Sequence, residues 1–139
     1  MKITLPLKTL TCAILLCGAF AAHAETAAST SQMLEAARAS IKTAGDLGWI
    51  WRDTEDKLKE AETAAAAGDD APAAKMAKSA KAQAEIAINQ YYLEKAKPLV
   101  TALQSKKGLS NSQKKMVQDA AQAVANAEGK KAYDIVSPL

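Results

Sequence analysis

The chain has 139 residues, of which 49% are hydrophobic and only 4% aromatic, and 18 basic against 15 acidic residues give it a formal net charge of +3. This length suits one domain, and so small a net charge argues against a nucleic-acid partner. Alanine supplies much of the apolar content. Because alanine is the best helix former and buries little area, we expect a small all-α bundle whose helices pack closely.

The first 24 residues have the features of a cleaved export signal. A basic start containing Lys2 and Lys8 precedes an apolar core over Leu10–Phe20. Small residues then occupy the two positions that a signal peptidase reads, Ala22 and Ala24. We therefore expect cleavage after Ala24 and a periplasmic protein of 115 residues, which is 139 minus 24.

Two alternatives to a cleaved leader are a retained transmembrane anchor and a lipid anchor. A transmembrane helix needs about 20 apolar residues, and this apolar run is shorter. A lipoprotein signal places a small residue before its acceptor cysteine, whereas Leu16 precedes Cys17 here. Both features favour soluble export, and a membrane-surface partner is not expected.

Cleavage would remove every cysteine and histidine of the chain, namely Cys12, Cys17 and His23. The exported protein would then have no disulfide, no thiolate or imidazole metal ligand, no covalently attached haem, and no cysteine or histidine nucleophile or base. The sequence also lacks a glycine-rich phosphate loop, an acidic calcium loop and a nucleophile elbow. We therefore expect a protein without enzymatic activity, cofactor or metal.

Charge is distributed unevenly along the exported chain. From Glu25 to Pro72, ten acidic residues outnumber five basic ones, a net of −5, whereas from Ala73 to Leu139 eleven lysines outnumber five acidic residues, a net of +6. Either the acidic and basic helices face each other and water, or the polarised surface orients docking on a charged partner.

The first part of the exported chain predicts two helices after a polar, mobile segment over about Glu25–Ser31. The first helix is expected over Gln32–Ala44. The second begins at Trp49 or at Asp53, a good N-cap residue, and runs to Ala67 before Gly68. The apolar positions of the first helix are Met33, Leu34, Ala37, Ile41 and Ala44.

A third helix is predicted over Pro72–Lys97, with Asp70 as its cap. Pro98 is expected to kink or end it, and a shorter helical segment follows as far as Gly108. The apolar residues of the third helix recur at helical spacing: Ala73, Met76, Ala77, Ala80, Ala84, Ala87, Ile88 and Tyr91.

The residues Ser110–Gln113 form a capping box and predict the start of a fourth helix that ends at Gly129. Lys131–Val136 suits one or two further helical turns. The predicted buried side of the fourth helix contains Met116, Val117, Ala120, Ala123, Val124 and Ala127.

These elements predict a central antiparallel helical hairpin, Asp53–Ala67 against Pro72–Lys97, flanked by N- and C-terminal helices. An alanine-rich helix ends at Gly68 and another at Gly129, and in each case an alanine follows three residues later. This partial repetition is tetratricopeptide-like in style, although no 34-residue period recurs.

The segment around Trp49 and Trp51 is the most distinctive in this plain sequence. If the second helix extends back through it, Trp51 lies on the buried face with Thr54 and Leu58, and Trp49 points the opposite way. One interpretation makes Trp51 core and lets Trp49 cover the first helix. The other makes Trp49, with Arg52, the anchor of a partner, since Trp and Arg are enriched in interface hot spots.

Other polar and aromatic residues allow both structural and functional roles. The acids of Arg52–Asp56 suit the first turn of a helix better than carboxylate catalysis. Tyr91 is expected in the core, and Tyr92 is the better surface candidate. The C-terminal part contains three lysine pairs: Lys106–Lys107, Lys114–Lys115 and Lys130–Lys131. These lysines are either solvated or form a basic docking rim, and Lys114 and Lys115 are the candidates to guide association with a partner.

Three short motifs in an exported, alanine-rich chain resemble the SoxXA-binding proteins, also called SoxK. They are Trp51–Thr54 opening a helix, Ala67–Asp69, and Ala77–Gln83, within a region of about Ala44–Gln90. The resemblance implies a small periplasmic accessory protein that binds the haem cytochrome SoxXA and enhances its joining of thiosulfate to the carrier SoxYZ. It implies no catalytic residues, and residues 98–139 have no counterpart in it.

The sequence therefore predicts a non-enzymatic periplasmic accessory that binds a protein partner, by resemblance SoxXA. Its candidate contact residues are Trp49, Arg52, Tyr92, Lys114 and Lys115. The alternative is a generic tetratricopeptide-like or coiled-coil envelope adaptor without a role in sulfur oxidation.

Overall fold

The computed structural model describes the backbone of residues 15–139 and the side chains of residues 29–139. The basic start of the predicted export signal lies outside the described residues. The described chain contains five helices and no strand, which confirms the all-α fold: α1 (Leu15–Asp46), α2 (Arg52–Ala66), α3 (Asp70–Ser105), α4 (Asn111–Ala125) and α5 (Gly129–Val136).

The 36-residue helix α3 is the shared spine of the bundle. Helices α1 and α2 pack on its first half, and α4 and α5 pack on its second half. Within the described residues, neither α1 nor α2 packs against α4 or α5. We call α1, α2 and the first half of α3 the N-terminal unit, and the second half of α3 with α4 and α5 the C-terminal unit.

Alanine forms most of the surface of α3 on which α1 and α2 pack. Five alanines of α3 in the predicted stripe are almost fully buried, and Met76, Ile88 and Tyr91 lie at its half-buried margin. Alanine buries little apolar area, but its small side chain allows neighbouring backbones to approach closely. The additional van der Waals contacts between the helices compensate for the small buried area. The fully buried alanines of this stripe are Ala73, Ala77, Ala80, Ala84 and Ala87.

Several helix ends differ from the sequence-based expectations. Helix α1 (Leu15–Asp46) extends back beyond Gln32, the expected first residue of the first helix. Trp51 in extended conformation is the N-cap of α2, so the prediction of Asp53 as N-cap is wrong. Asp69, not Asp70, is the residue that precedes α3. Asp53 lies in the first turn of α2, where the helix dipole favours a carboxylate.

Of the two expectations for Pro98, a kink or an end, the second is wrong: α3 continues through Pro98 to Ser105 and includes the segment expected as a separate short helix. Pro98 lacks an N–H donor, but Ala96 and Val100 on either side are buried against α4 and α5. Because tertiary packing supplies most of a helix's stability, this burial holds the helical path across the missing hydrogen bond.

The predicted capping box at the start of α4 is confirmed. The Gln113 N–H donates to Ser110 Oγ at 3.2 Å, and the Ser110 N–H donates to Gln113 Oε1 at 2.9 Å. The prediction that Gly129 ends α4 is wrong: α4 ends at Ala125, and Gly129 is the first residue of α5.

The two units repeat the same geometry 59 residues apart. Helices α2 and α4 begin at Arg52 and Asn111 and have 15 residues each, and α1 and α3 end at the corresponding positions Asp46 and Ser105. Several pairs of equivalent positions are buried in both units: Ala37 and Ala96, Ile41 and Val100, Ala61 and Ala120, Ala73 and Ala132.

The turns that follow α2 and α4 are also equivalent. The Asp69 N–H donates to the Ala64 carbonyl at 2.9 Å, and the Glu128 N–H donates to the Ala123 carbonyl at 2.8 Å. This bond closes a Schellman motif, which needs a left-handed residue just before it. Gly68 fills that position in the first turn and Ala127 in the second, so the repeat pairs Gly68 with Ala127 and not with Gly129.

The side chain of Asn89, from the middle of α3, holds the second turn in place. Its Nδ2 donates to the Ala127 carbonyl at 2.7 Å, and its Oδ1 accepts from the Gly129 N–H at 2.7 Å. These two bonds stabilise a turn in which a non-glycine residue has a φ of 57°. Thr30, at the equivalent position of α1, bonds the Asp70 carbonyl at 3.4 Å.

Gly129 rests directly on the backbone of α3. A Cβ atom at this residue would overlap the Asn89 carbonyl oxygen and would lie 2.6 Å from the Leu93 nitrogen. Only glycine therefore allows α5 to approach α3 this closely.

We predict that Gly129→Ala destabilises the protein by about 2–3 kcal/mol, because the methyl group meets rigid backbone. Gly45→Ala is the matched control, since Gly45 lies within α1 and a Cβ atom there would meet no other atom within 4 Å. That variant should gain about 0.5–1 kcal/mol in helix propensity. Urea unfolding followed by circular dichroism measures both. Equal stabilities for the two variants would contradict the close contact.

Candidate functional site

Four aromatic rings form a continuous row across α3. The ring centroids of Trp49 and Tyr91 are 5.9 Å apart, those of Tyr91 and Tyr92 are 5.2 Å apart, and those of Tyr92 and Tyr133 are 5.4 Å apart. The first two contacts are edge-on, as aromatic pairs prefer. We call these four residues the aromatic row; it joins the loop after α1 to α5 and thus spans both units.

Local backbone geometry places Trp49 at the start of this row. Gly48 has a φ of 71°, which turns the chain at the end of α1, and the Trp49 N–H donates to the Ala44 carbonyl at 3.0 Å. The indole therefore stays beside the end of α1 and reaches Tyr91 of α3. Trp49 remains 36% exposed.

The prediction that Trp51 is core is wrong, because Trp51 is 41% exposed. It precedes α2 in an extended conformation, so it does not share the buried helical face that a longer helix would have given it. Thr54 is the buried residue at the start of that face, and its hydroxyl bonds Gln83 Oε1 of α3 at 3.3 Å. Both indoles of the loop are consequently available at the surface.

Two lysines lie over the tyrosine rings of the row. Lys95 Nζ is 5.5 Å from the Tyr91 ring centroid, and Lys130 Nζ is 5.5 Å from that of Tyr92. Both distances are within the range of cation–π attraction. The row therefore combines apolar ring surface with positive charge.

The two lysines differ in their ion pairing. Lys130 bonds Asp134 at 2.6 Å, and this hydrogen bond to a carboxylate raises the pKa of Lys130. The stabilisation from that pair is complete below the ordinary lysine pKa and is lost as the pH rises through the raised value. Lys95 has no carboxylate partner among the described residues.

The structure separates the five predicted contact residues into two groups. Trp49 and Tyr92 belong to the aromatic row, and Arg52 is exposed at the first position of α2. Lys114 and Lys115 are exposed near the start of α4, which lies beside the end of α3. That end is about 20 Å along the helix from Tyr92, so the lysine pair is remote from the row.

The sequence did not indicate the contributions of Tyr91, Tyr133 and Lys95 to this surface, and it indicated Lys130 only as a member of a lysine pair. Tyr91 and Tyr92 are adjacent in a helix and so point about 100° apart, which already indicates that they face different neighbours. Nothing local in the sequence places Tyr133 beside Tyr92. That contact depends on Gly129 bringing α5 onto α3.

Among the described residues, the buried polar side chains are Thr30 and Thr54, and no group of three histidine, cysteine or acidic side chains in this part of the chain could hold a metal ion. None of the helices, over the residues that are described, has the length and apolar composition that crossing a bilayer requires.

Comparison with known proteins adds no relative. No protein family matches the chain, and neither curated protein sequences nor solved structures give a significant match.

We predict that Trp51→Ala costs less than about 1 kcal/mol of unfolding free energy, since the exposed indole leaves no cavity. Trp49→Ala should cost about 1 kcal/mol, the value of its edge-on contact with Tyr91. The buried Leu103 provides a positive control, for Leu103→Ala should cost about 2–5 kcal/mol. Chemical unfolding ranks the three variants, and a Trp51→Ala loss equal to that of Leu103→Ala would contradict the exposed position of Trp51.

Proposed function

We propose that this protein is a non-enzymatic periplasmic accessory that binds a protein partner, and that the partner is the haem cytochrome SoxXA. The sequence resemblance to SoxXA-binding proteins supplies the identity of the partner. The surface described above supports a binding role independently of that resemblance.

The observation that carries this proposal is the exposure of two indoles on one short loop. Trp49 and Trp51 are 36% and 41% exposed in a protein with few aromatic residues. An exposed indole keeps apolar area in contact with water, whereas a partner that covers it buries that area and can accept a hydrogen bond from the ring N–H. Tryptophan is also the residue most typical of interface hot spots.

Charge supports the same role. Arg52 follows Trp51 directly and has no carboxylate partner among the described residues, as is also the case for Lys114 and Lys115. Cations near the anchor contribute to affinity, and more remote ones accelerate the encounter with an acidic partner. Lys114 and Lys115 suit the second purpose.

The second candidate function is a helical-repeat adaptor of the cell envelope without a role in sulfur oxidation. The observation that favours it is the recurrence of the helix–turn–helix geometry 59 residues apart, shown by the equivalent starts of α2 and α4. Repeated helical hairpins are a common scaffold for protein binding. Genes of the sulfur-oxidation pathway beside the gene for this protein would favour the first candidate, and envelope genes there would favour the second.

Calorimetric titration of the exported protein with purified SoxXA tests the proposal. Trp49→Ala should weaken association by about 2 kcal/mol or more, which is about thirtyfold. Ile86→Ala is the matched control, because Ile86 is also exposed, at 49%, but lies outside the row. Replacing both Lys114 and Lys115 by alanine should mainly lower the association rate constant and reduce its dependence on salt concentration, which rapid-mixing kinetics measures.

Two results would contradict the proposal. Absence of any heat of binding between the wild-type protein and SoxXA would remove the proposed partner. An equal loss of affinity for Ile86→Ala and Trp49→Ala would remove the tryptophan loop as the contact site.

A further inference from the structure

We propose that the aromatic row is the binding surface for an acidic segment of the protein partner. The bound segment lies across α3 and contacts both units. This inference rests on the proposed function as a protein-binding accessory and adds the chemistry and the position of the bound segment. It concerns Trp49, Tyr91, Tyr92 and Tyr133 together with the cations beside them.

The cations of the row favour an acidic occupant. Lys95 lies over Tyr91 without a carboxylate partner in the described part of the chain, and Arg52 follows the tryptophan loop in the same condition. Lys130 over Tyr92 keeps its charge beside Asp134. An acidic segment would therefore meet two cations, Lys95 and Arg52, that form no ion pair within the described part of the chain.

The dimensions of the row suit a short segment. Its three steps between ring centroids are 5.9, 5.2 and 5.4 Å, a path of at most about 17 Å, which about five extended residues span. Apolar side chains of the segment would cover the rings, and its carboxylates would reach the flanking cations. Contact with Trp49 at one end and Tyr133 at the other would bridge the two units, whose helices, within the described residues, meet only through α3.

A protein segment fits this surface better than an anionic membrane does. Asp53 and Glu55 lie in the first turn of α2, beside Arg52, and neither has an ion-pair partner among the residues described. A flat anionic surface would meet these carboxylates as well as the cations and be repelled by them. A narrow segment can contact the cations alone.

Titration of the ¹⁵N-labelled protein with two synthetic peptides tests the inference. One peptide carries four acidic residues around a central leucine, and its counterpart has Gln and Asn in place of Glu and Asp. The acidic peptide should shift the Trp49 indole and the Tyr92 and Tyr133 amides in a saturable, salt-sensitive manner, and the neutral peptide should not. Lys95→Glu should weaken this binding about fivefold or more.

Lys75→Glu is the matched control, because Lys75 is an exposed lysine of α3 without an ion pair among the described residues, about 30 Å along the helix from Lys95. It should leave peptide binding nearly unchanged. Equal shifts with both peptides, shifts confined to Lys114 and Lys115, or equal losses for the two variants would overturn the inference. So would perturbation of the row by anionic phospholipid vesicles but not by the acidic peptide.

A parallel titration with SoxXA separates this inference from the proposed function. If the acidic peptide binds the aromatic row but SoxXA does not bind the protein, the proposed partner is refuted and the aromatic row remains a binding surface for an acidic segment. If SoxXA binds and Lys95→Glu does not weaken that binding, the inference that the aromatic row binds an acidic segment is overturned and the proposed function is retained.

Discussion

Close backbone contact with α3 is the constraint on which the rest of this structure depends. Alanines fill the contact positions on its first half, and Gly129 lets α5 rest on its second half. Side chains this small bury little apolar area, so stability depends on how near the backbones come. Asn89 fixes the approach of α5 by bonding both Ala127 and Gly129, and the position of Tyr133 in the aromatic row follows from it.

The sequence predicted the elements of this fold well and their ends less well. Alanine periodicity located the buried face of α3, and the Ser110 capping box located the start of α4, because both are local signals. The continuation of α3 through Pro98 and the role of Gly129 were not predictable locally. Each depends on packing between segments distant along the chain, which overrides the local preference of proline or glycine.

The candidate site shows the same division. Sequence composition singled out Trp49, Arg52 and Tyr92, but a single assumption, that α2 extends back through the tryptophans, placed Trp51 in the core. An extended N-cap residue reverses that assignment and leaves both indoles at the surface. The row that joins Trp49 to Tyr133 exists only because the two units share α3. A partner bound to the aromatic row would contact α3 where the N-terminal and C-terminal units meet. Such binding can reduce the motion of one unit relative to the other.

Native-state amide hydrogen exchange tests most directly whether α3 is the shared spine of two units. If it is, the slowest amides lie in α3 between Ala80 and Val100, where both units pack on it. In the Gly129→Ala variant, exchange should accelerate in α4 and α5 and remain nearly unchanged in α1 and α2. Exchange in α3 as fast as in α5, or an equal acceleration in all helices of the variant, would contradict this role of α3.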